Sequence, residues 1–295
     1  MRNRFIVPAA IGAIAAMLLT GCVNNETTPE TDGSAAPEVA VDEAAAALLP
    51  ENIKSAGVLT IGVDASYAPN EFEADDGSVT GWEVELGDAV AAKLGVKTDW
   101  KKLLFDAILP QVAGGTLDLG FSSFTDNAER QQQVDFVDYY EAGLQFAKSP
   151  DAEAIDPENL CGLSIAVQAT TTSDQYLTDK STECTNGGQS AIEIVKSDGQ
   201  DEATSNVALG KVPYMLGDSP ITQYAVAQSD GKIELAGDLF DSAPYGIVIA
   251  KDSALVPAIQ AAVQSLIDDG TYTAILEKWG VEAGAVTSAE INLGS

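Results

Sequence analysis

Histidine is absent from the sequence, and cysteine occurs only three times. Without histidine there is no Ser–His or Cys–His pair to activate a nucleophile. Basic residues are scarce as well: 15 Lys and Arg stand against 45 Asp and Glu, a formal charge of −30. So acidic a chain is repelled by nucleic acid and by anionic lipid headgroups, and neither is an expected partner. No P-loop pattern and no metal-ligand spacing occurs, so no cofactor and no metal are expected. After residue 22 no apolar run is long enough to span a bilayer.

What is present starts at the N-terminus. Arg2 and Arg4 precede an uncharged apolar run from Phe5 to Leu19, which leads into Leu19-Thr20-Gly21-Cys22. The run is shorter than the about 20 residues a spanning helix needs, and its flanks are those of a signal peptide. Small residues followed by Cys resemble a bacterial lipobox, in which Cys22 is diacylated and becomes the new N-terminus. Residues 1–21 then form a lipoprotein signal peptide, and lipid at Cys22 anchors the protein to the outer face of the cell membrane. A plain secretory signal with an incidental cysteine is the alternative. Removing Arg2 and Arg4 leaves the mature chain more acidic still. Cys161 and Cys184 remain as an even pair outside the cytosol, where a disulfide is expected rather than two free thiols.

From Val23 to Asn52 the chain is rich in Glu, Asp, Thr, Pro and Ala, with no Lys, Arg or aromatic residue. Residues 22–52 therefore read as an acidic flexible tether, with a short helix expected in its late part from Asp42 to Leu49. The remainder, roughly 53–285, exceeds one common domain and suggests two lobes. Strands are expected at Val58–Val63, Val96–Trp100 and Leu117–Phe121. Helices are expected at Glu83–Leu94 and Phe105–Ala113, each stopped by glycine. After a Pro- and Asp-rich stretch from Ser149 to Glu158 the same grammar restarts. Strands are expected at Leu163–Val167, Ala191–Val195 and Val212–Gly217, with helices from Ser173, at Glu202–Leu209 and from Ser219-Pro220. A strand at Gly246–Ala250 and helices at Ala254–Asp268 and Thr271–Trp279 follow. This order implies α/β lobes, each a mostly parallel sheet flanked by helices.

In open parallel sheets ligands bind at the carboxyl ends of the strands. The residues following the expected strands are Asp64 and Tyr67, Ser122, Ser123 and Thr125, Gln168, Thr170 and Thr171, then Asp218. A few positions past the third strand lies Arg130, whose planar fork suits a carboxylate, while Asp218 in the other lobe can accept from an ammonium group. Together they complement a zwitterion. The competing reading pairs Arg130 with Glu129 or Asp126 on the surface and leaves Asp218 as a helix cap. Trp82, Trp100 and Trp279 read as core.

The order of residues resembles the family 3 extracellular solute-binding proteins, the polar amino acid receptors of ABC importers, from about Val58 to Gly280. The matching stretches include Ile61-Gly62-Val63-Asp64-Ala65-Ser66-Tyr67-Ala68-Pro69, Gly81-Trp82-Glu83-Val84-Glu85-Leu86 and Phe105-Asp106-Ala107-Ile108-Leu109-Pro110. They continue through Leu117-Asp118-Leu119, Glu129-Arg130-Gln131-Gln132-Gln133-Val134-Asp135-Phe136 and Gly217-Asp218-Ser219-Pro220. Pro244-Tyr245-Gly246-Ile247, Asp268-Asp269-Gly270-Thr271-Tyr272 and Glu277-Lys278-Trp279-Gly280 complete the set.

The resemblance implies a two-lobed, periplasmic-binding-protein-like fold with two hinge strands, crossing near Phe146-Ala147 and Pro244-Tyr245. Lobe 1 then comprises 53–146 and 244–285, lobe 2 comprises 147–243, and 286–295 is a C-terminal tail. It further implies that Arg130 holds the ligand α-carboxylate, helped by Ser123, Thr125 and Thr171, and that Asp218 holds the α-ammonium. Tyr67 and Phe105 would sandwich the ligand, with Asp64 toward its side chain. The implied partners are a polar or charged L-amino acid and ABC permease subunits, with a monomeric receptor that is not an enzyme. A dehydratase of the same fold is the alternative, with Glu71 or Glu83 as general acid. The chain departs from the family pattern at Asn70, at Thr125-Asp126-Asn127-Ala128 and at Ala169. Those departures leave side-chain specificity open: Asp64 and Glu71 suit a basic or amide side chain, and Asn70 a polar one.

Overall fold

A computed structural model of the chain describes residues 39–295. The expected signal peptide, Cys22 and the first part of the expected tether lie outside the described residues. Among those described, no helix is long and apolar enough to cross a membrane.

The chain enters through two short helices, α1 (Glu43–Ala47) and α2 (Glu51–Ala56), then the first strand, β1 (Val58–Val63). A small antiparallel sheet of β2 (Ser66–Tyr67), β3 (Glu71–Glu73) and β4 (Val79–Thr80) follows. Next come α3 (Trp82–Lys93), β5 (Lys97–Lys102), α4 (Phe105–Ala113) and β6 (Leu119–Gly120). A long strand, β7 (Val134–Lys148), crosses into the second lobe. There β8 (Ser164–Gln168), α5 (Thr172–Asn186), β9 (Glu193–Ser197), α6 (Gln200–Ala208), β10 (Tyr214–Asp218) and α7 (Ser219–Gln228) are laid out in turn. The chain returns along β11 (Glu234–Ala250) and ends with α8 (Val256–Asp268), α9 (Thr271–Trp279) and β12 (Ala285–Ile291).

The strand order is β5-β1-β6-β11-β7-β10-β8-β9, with β12 added beside β7. In lobe 1, β1 runs parallel to both β5 and β6. In lobe 2, β8 runs parallel to β9 and β10. The antiparallel pair β7 and β11 belongs to both lobes and joins them. Phe146 and Ala147 already sit in the lobe 2 cores, so the first crossing lies a few residues before the expected place, at Ala142–Gly143. The pairing of the two strands shifts register on either side of Phe240 and again at Tyr245 and Gly246, which marks the second crossing.

Each sheet buries both faces. In lobe 1 one face packs Leu86, Val90, Ile259 and Val263 of α3 and α8 against Ile61 and Leu119. The opposite face packs Ile108 and Val112 of α4 against Phe136 and Val248. In lobe 2, Leu177 of α5 covers Ile165, Val167 and Leu216, while Ala203 and Val207 of α6 cover Ala166 and Met215. Local chemistry fixes the helix ends. Thr171 caps α5 by accepting from the Asp174 N–H, Pro220 sits in the first turn of α7, and Gly280 closes α9 in the left-handed region.

Two terminal segments differ from the sequence reading. Residues 39–52, expected within the tether, belong to the folded body: Asp42 caps α1, and Ala45, Leu49 and Ile53 are buried in the lobe 1 core. Three small or aliphatic side chains at helical spacing suffice to dock there, despite the acidic composition around them. The expected C-terminal tail contains β12, whose Glu290 and Ile291 register against Asp138 and Val137 of β7.

Cys161 and Cys184 form a disulfide, with Cα atoms 5.6 Å apart and a separation of 23 positions in sequence. It ties the entry of lobe 2 to the far end of α5. A closed loop of this length restricts the unfolded chain by about 3 kcal/mol. Replacing both cysteines by alanine should lower the unfolding free energy by about that amount in urea titration, and an unchanged midpoint would show that the bond contributes nothing.

Candidate ligand-binding cleft

The carboxyl ends of β1, β6, β8 and β10 meet between the lobes, around a narrow cavity of about 10 Å³. All eight ligand positions expected from the sequence line it: Asp64, Tyr67, Phe105, Ser123, Thr125 and Arg130 from lobe 1, Thr171 and Asp218 from lobe 2. Glu71, Ser122, Gln168 and Thr172 complete the wall.

Arg130 opens a single 3-10 turn, Arg130–Gln132, and its backbone N–H donates to Asn127 Oδ1. One Nη donates to the Thr125 carbonyl at 2.9 Å. The guanidinium lies over the stacked rings of Phe105 and Phe124, 5.5 and 5.4 Å from their centroids. The aromatic contact and the Thr125 carbonyl hold the guanidinium in the cavity wall, with N–H donors to spare. Burial lowers the Arg130 pKa to about 10, opposed by Asp218 and Glu129, so the group stays cationic at neutral pH. Glu129 and Asp126 form no ion pair with Arg130. Asp126 instead accepts from the Gly294 N–H at 2.7 Å and from Gln131 at 2.8 Å. The departure from the family pattern at Asp126-Asn127 thus has a structural use. Both side chains tie down the loop that carries Arg130, partly through the chain beyond β12.

Asp218 ends β10 and occupies the N-cap position of α7, yet its side chain makes no capping hydrogen bond. Its Oδ2 accepts instead from Tyr67 Oη at 2.8 Å and Tyr245 Oη at 2.5 Å, both from lobe 1. Burial raises its pKa, while the two phenols and the Arg130 charge favour the ionised form. Both tyrosines are pushed well above the usual phenol range by burial and by Asp218, so they remain donors.

Three further contacts join the lobes. Gln168 Nε2 donates to Asp64 Oδ2 at 2.8 Å, Ser66 Oγ accepts from the Gln200 N–H at 3.1 Å, and the Thr125 and Thr172 hydroxyls lie 3.4 Å apart. The lobes are closed on one another. Asp64 Oδ2 also accepts the Phe105 N–H at the start of α4, and burial raises its pKa. Ser123 adopts a positive φ of 51°, a conformation costly for a serine and concentrated at functional sites. It directs the Ser123 N–H and hydroxyl at Glu83.

Some sequence expectations need correction here. Asn70, expected to alter the ligand wall, does not line the cavity. It is fully buried behind it, accepting from Trp82 Nε1 and donating to Ser123. Thr170 also points elsewhere, bonding the Ala169 carbonyl. Tyr245 and Thr172 are site residues that the sequence reading did not assign to the cleft. Tyr245 reaches the cleft from the middle of β11, and no local pattern marks a phenol that bonds a carboxylate 27 positions away.

Residues 59–282 match the profile of the bacterial extracellular solute-binding proteins, family 3. An arginine-binding protein of Corynebacterium glutamicum is 38% identical over 295 residues, covering 97% of this chain and 95% of that protein. Among solved structures, an ancestral arginine-binding protein bound to arginine superposes with a TM-score of 0.70 at 31% identity, covering 76% of this chain and 98% of that one. An ancestral amino acid-binding protein, described as a precursor of cyclohexadienyl dehydratase, gives the same TM-score at 29% identity, covering 78% of this chain and 98% of its own.

The phenol donors of Asp218 offer a direct test. A hydrogen bond to a buried charge contributes about 1.5–3 kcal/mol. Tyr245→Phe should therefore weaken binding of an α-amino acid by about tenfold to a hundredfold in titration calorimetry. An unchanged affinity would mean that Asp218 does not depend on this donor.

Proposed function

The chain belongs to the bacterial extracellular solute-binding proteins, family 3, and we propose that its cleft captures L-arginine outside the cytoplasm for an ABC importer. One observation carries this reading: the cavity presents a single cationic fork, Arg130, and three carboxyl groups, Asp218, Asp64 and Glu71. That set suits a ligand with one carboxylate and two cations: a single cation for the carboxylate, and more carboxyl groups than one ammonium needs. Arg130 receives the α-carboxylate on its free edge, beside the first turn of α5 where Thr171 and Thr172 line the wall. Asp218 accepts from the α-ammonium. Asp64, Glu71, Ser122 and the Gln168 carboxamide are left for the side chain, an acceptor-rich end that suits a planar guanidinium.

Capture follows from where these groups sit. Arg130 and its aromatic platform are in lobe 1, whereas Asp218 is in lobe 2 and meets lobe 1 only when the cleft is shut. A ligand held first through its carboxylate gains the Asp218 contact on closure, and only that difference in affinity can drive the motion along β7 and β11. The closed form is then what a permease distinguishes from the open one. A dehydratase would draw on Glu71 as a buried general acid. The Arg130 and Asp218 pair matches an α-amino acid instead, and the C. glutamicum relative is a binding protein by name.

The N-terminal part of the proposal rests on Arg2, Arg4, the apolar run and Leu19-Thr20-Gly21-Cys22: lipid at Cys22 tethers the receptor beside its permease. Cys22→Ser should move the protein from the membrane fraction to the medium. If the variant stays with the membrane, the lipid anchor is not what holds it there.

The ligand assignment is tested by calorimetry with Arg130→Ala and Asp218→Ala. Removing one partner of a buried charge pair costs roughly 3–5 kcal/mol, so each variant should bind arginine more than a hundredfold less tightly. Full affinity in both variants, or no arginine binding by the unaltered protein, would dismiss this site as an arginine site.

A further inference from the structure

Behind the acceptor-rich end of the cleft, Glu71 and Glu83 are both completely buried. They come from different elements, β3 and the first turn of α3, and Gly81 brings them together. Its φ is 135°, and a Cβ there would overlap the Asn70 carbonyl. The bare backbone lets the Asn70-Glu71 segment lie directly on the start of α3, where the Glu83 N–H donates to the Asn70 carbonyl. The two carboxyl groups meet at the Ser123 hydroxyl, which lies 2.8 Å from Glu83 Oε1 and 3.3 Å from each Glu71 oxygen.

A count of donors separates their states. Glu83 accepts the Tyr139 O–H at 2.7 Å, the Ser123 N–H at 2.9 Å and the Ser123 O–H at 2.8 Å. Glu71 Oε1 accepts the Ser122 O–H at 2.9 Å. Its Oε2 reaches only the Ser123 hydroxyl, at 3.3 Å, and the one proton of that hydroxyl is better directed at Glu83. Neither carboxyl group takes part in an ion pair among the described residues. The titratable groups that bear most on Glu71 are Glu83 and Asp64, with Tyr67 and Tyr139 beside it. Arg130 and Asp218 line the same cavity, but Arg130 forms no ion pair with Glu71 among the described residues. Two buried carboxylates in contact cannot both ionise cheaply, and such pairs retain a proton. Burial raises Glu71 well above the usual carboxylate range, and the Glu83 charge raises it further. Burial raises Glu83 too, but Tyr139 and Ser123 support its ionised form.

We propose that Glu71 and Glu83 hold one proton between them in the free receptor, carried on Glu71, and that a cationic ligand side chain seated against Glu71 displaces it to solvent. Capture of arginine is then coupled to release of one proton. A neutral side chain of the same length leaves the proton in place and accepts from it. The inference rests on the arginine reading given above and adds a linkage to it. The complex with arginine holds one proton fewer than the free receptor, so affinity rises with pH, by about tenfold per unit while the pair is protonated, and levels off once it has ionised. Affinity for a neutral analogue does not follow pH in this way. Glu71 is thereby the residue that sets preference between charged and uncharged side chains, and acid shifts that preference toward the uncharged.

The test is calorimetric titration of the intact receptor with L-arginine and L-citrulline near neutral pH, in buffers of different ionisation enthalpy. About one proton released per arginine and close to none per citrulline is the expected result. In Glu71→Gln the release should vanish and the preference should move toward citrulline. Arginine binding without proton release, or release that persists in Glu71→Gln, overturns the linkage and leaves the arginine assignment standing. Failure of arginine to bind at all removes both.

Discussion

The structure turns on the burial of Asp218 between the lobes. A carboxylate at the end of a lobe 2 strand is tolerable away from water only if donors surround it, and its two donors come from lobe 1. The same contact therefore serves the charge and holds the lobes together. It also explains why Asp218 ignores the helix it begins. Capping α7 would satisfy the group within lobe 2 and leave closure without an electrostatic reward. Arg130 is arranged on the same logic from the other side: its one internal acceptor is a carbonyl and its faces rest on aromatic rings, so its charge is positioned but not neutralised by a carboxylate.

Around this axis the cleft is strongly acidic. Asp64 meets a neutral amide from lobe 2, and Glu71 and Glu83 meet hydroxyls, that of Ser123 in common. No lysine or arginine enters into hydrogen bonds with these three groups among the described residues. Carboxyl groups whose pKa burial raises are poised to respond to a cation, the property the proposed basic ligand would draw on. An acidic outer surface would not by itself point to such a ligand, since a solvated acidic coat is common. The buried acids do.

The supports of the cleft reach further than the cleft. The loop bearing Thr125 and Arg130 is held by Asp126 to the Pro244 carbonyl and to the chain beyond β12, and by Asn127 to the Arg130 backbone. Asn70 bridges Trp82, Ser123 and Glu83. These side chains, where the sequence departs from its family, act as structural struts and do not line the cavity. At the other end, α1 and α2 close one side of the lobe 1 core.

Sequence alone determined the alternating strands and helices, because a helix with one buried stripe and a short apolar strand each leave a local period. It also pointed to Asp64, Tyr67, Ser123, Thr125, Thr171 and Asp218 as residues that follow strands and line one cavity, because parallel sheets place strand ends on one edge. It did not reveal β7, whose residues are buried on both faces and which carries Asp135 and Asp138 among apolar neighbours, so that no alternation appears. Nor did it reveal the early part of β11, where register shifts and Pro244 break the pattern. The docking of residues 39–52, the partnership of Tyr245 with Asp218 and the meeting of Glu71 with Glu83 were decided by tertiary structure. Each depends on two segments far apart in the chain arriving at one place, and the state of a buried carboxyl group is set by what arrives beside it.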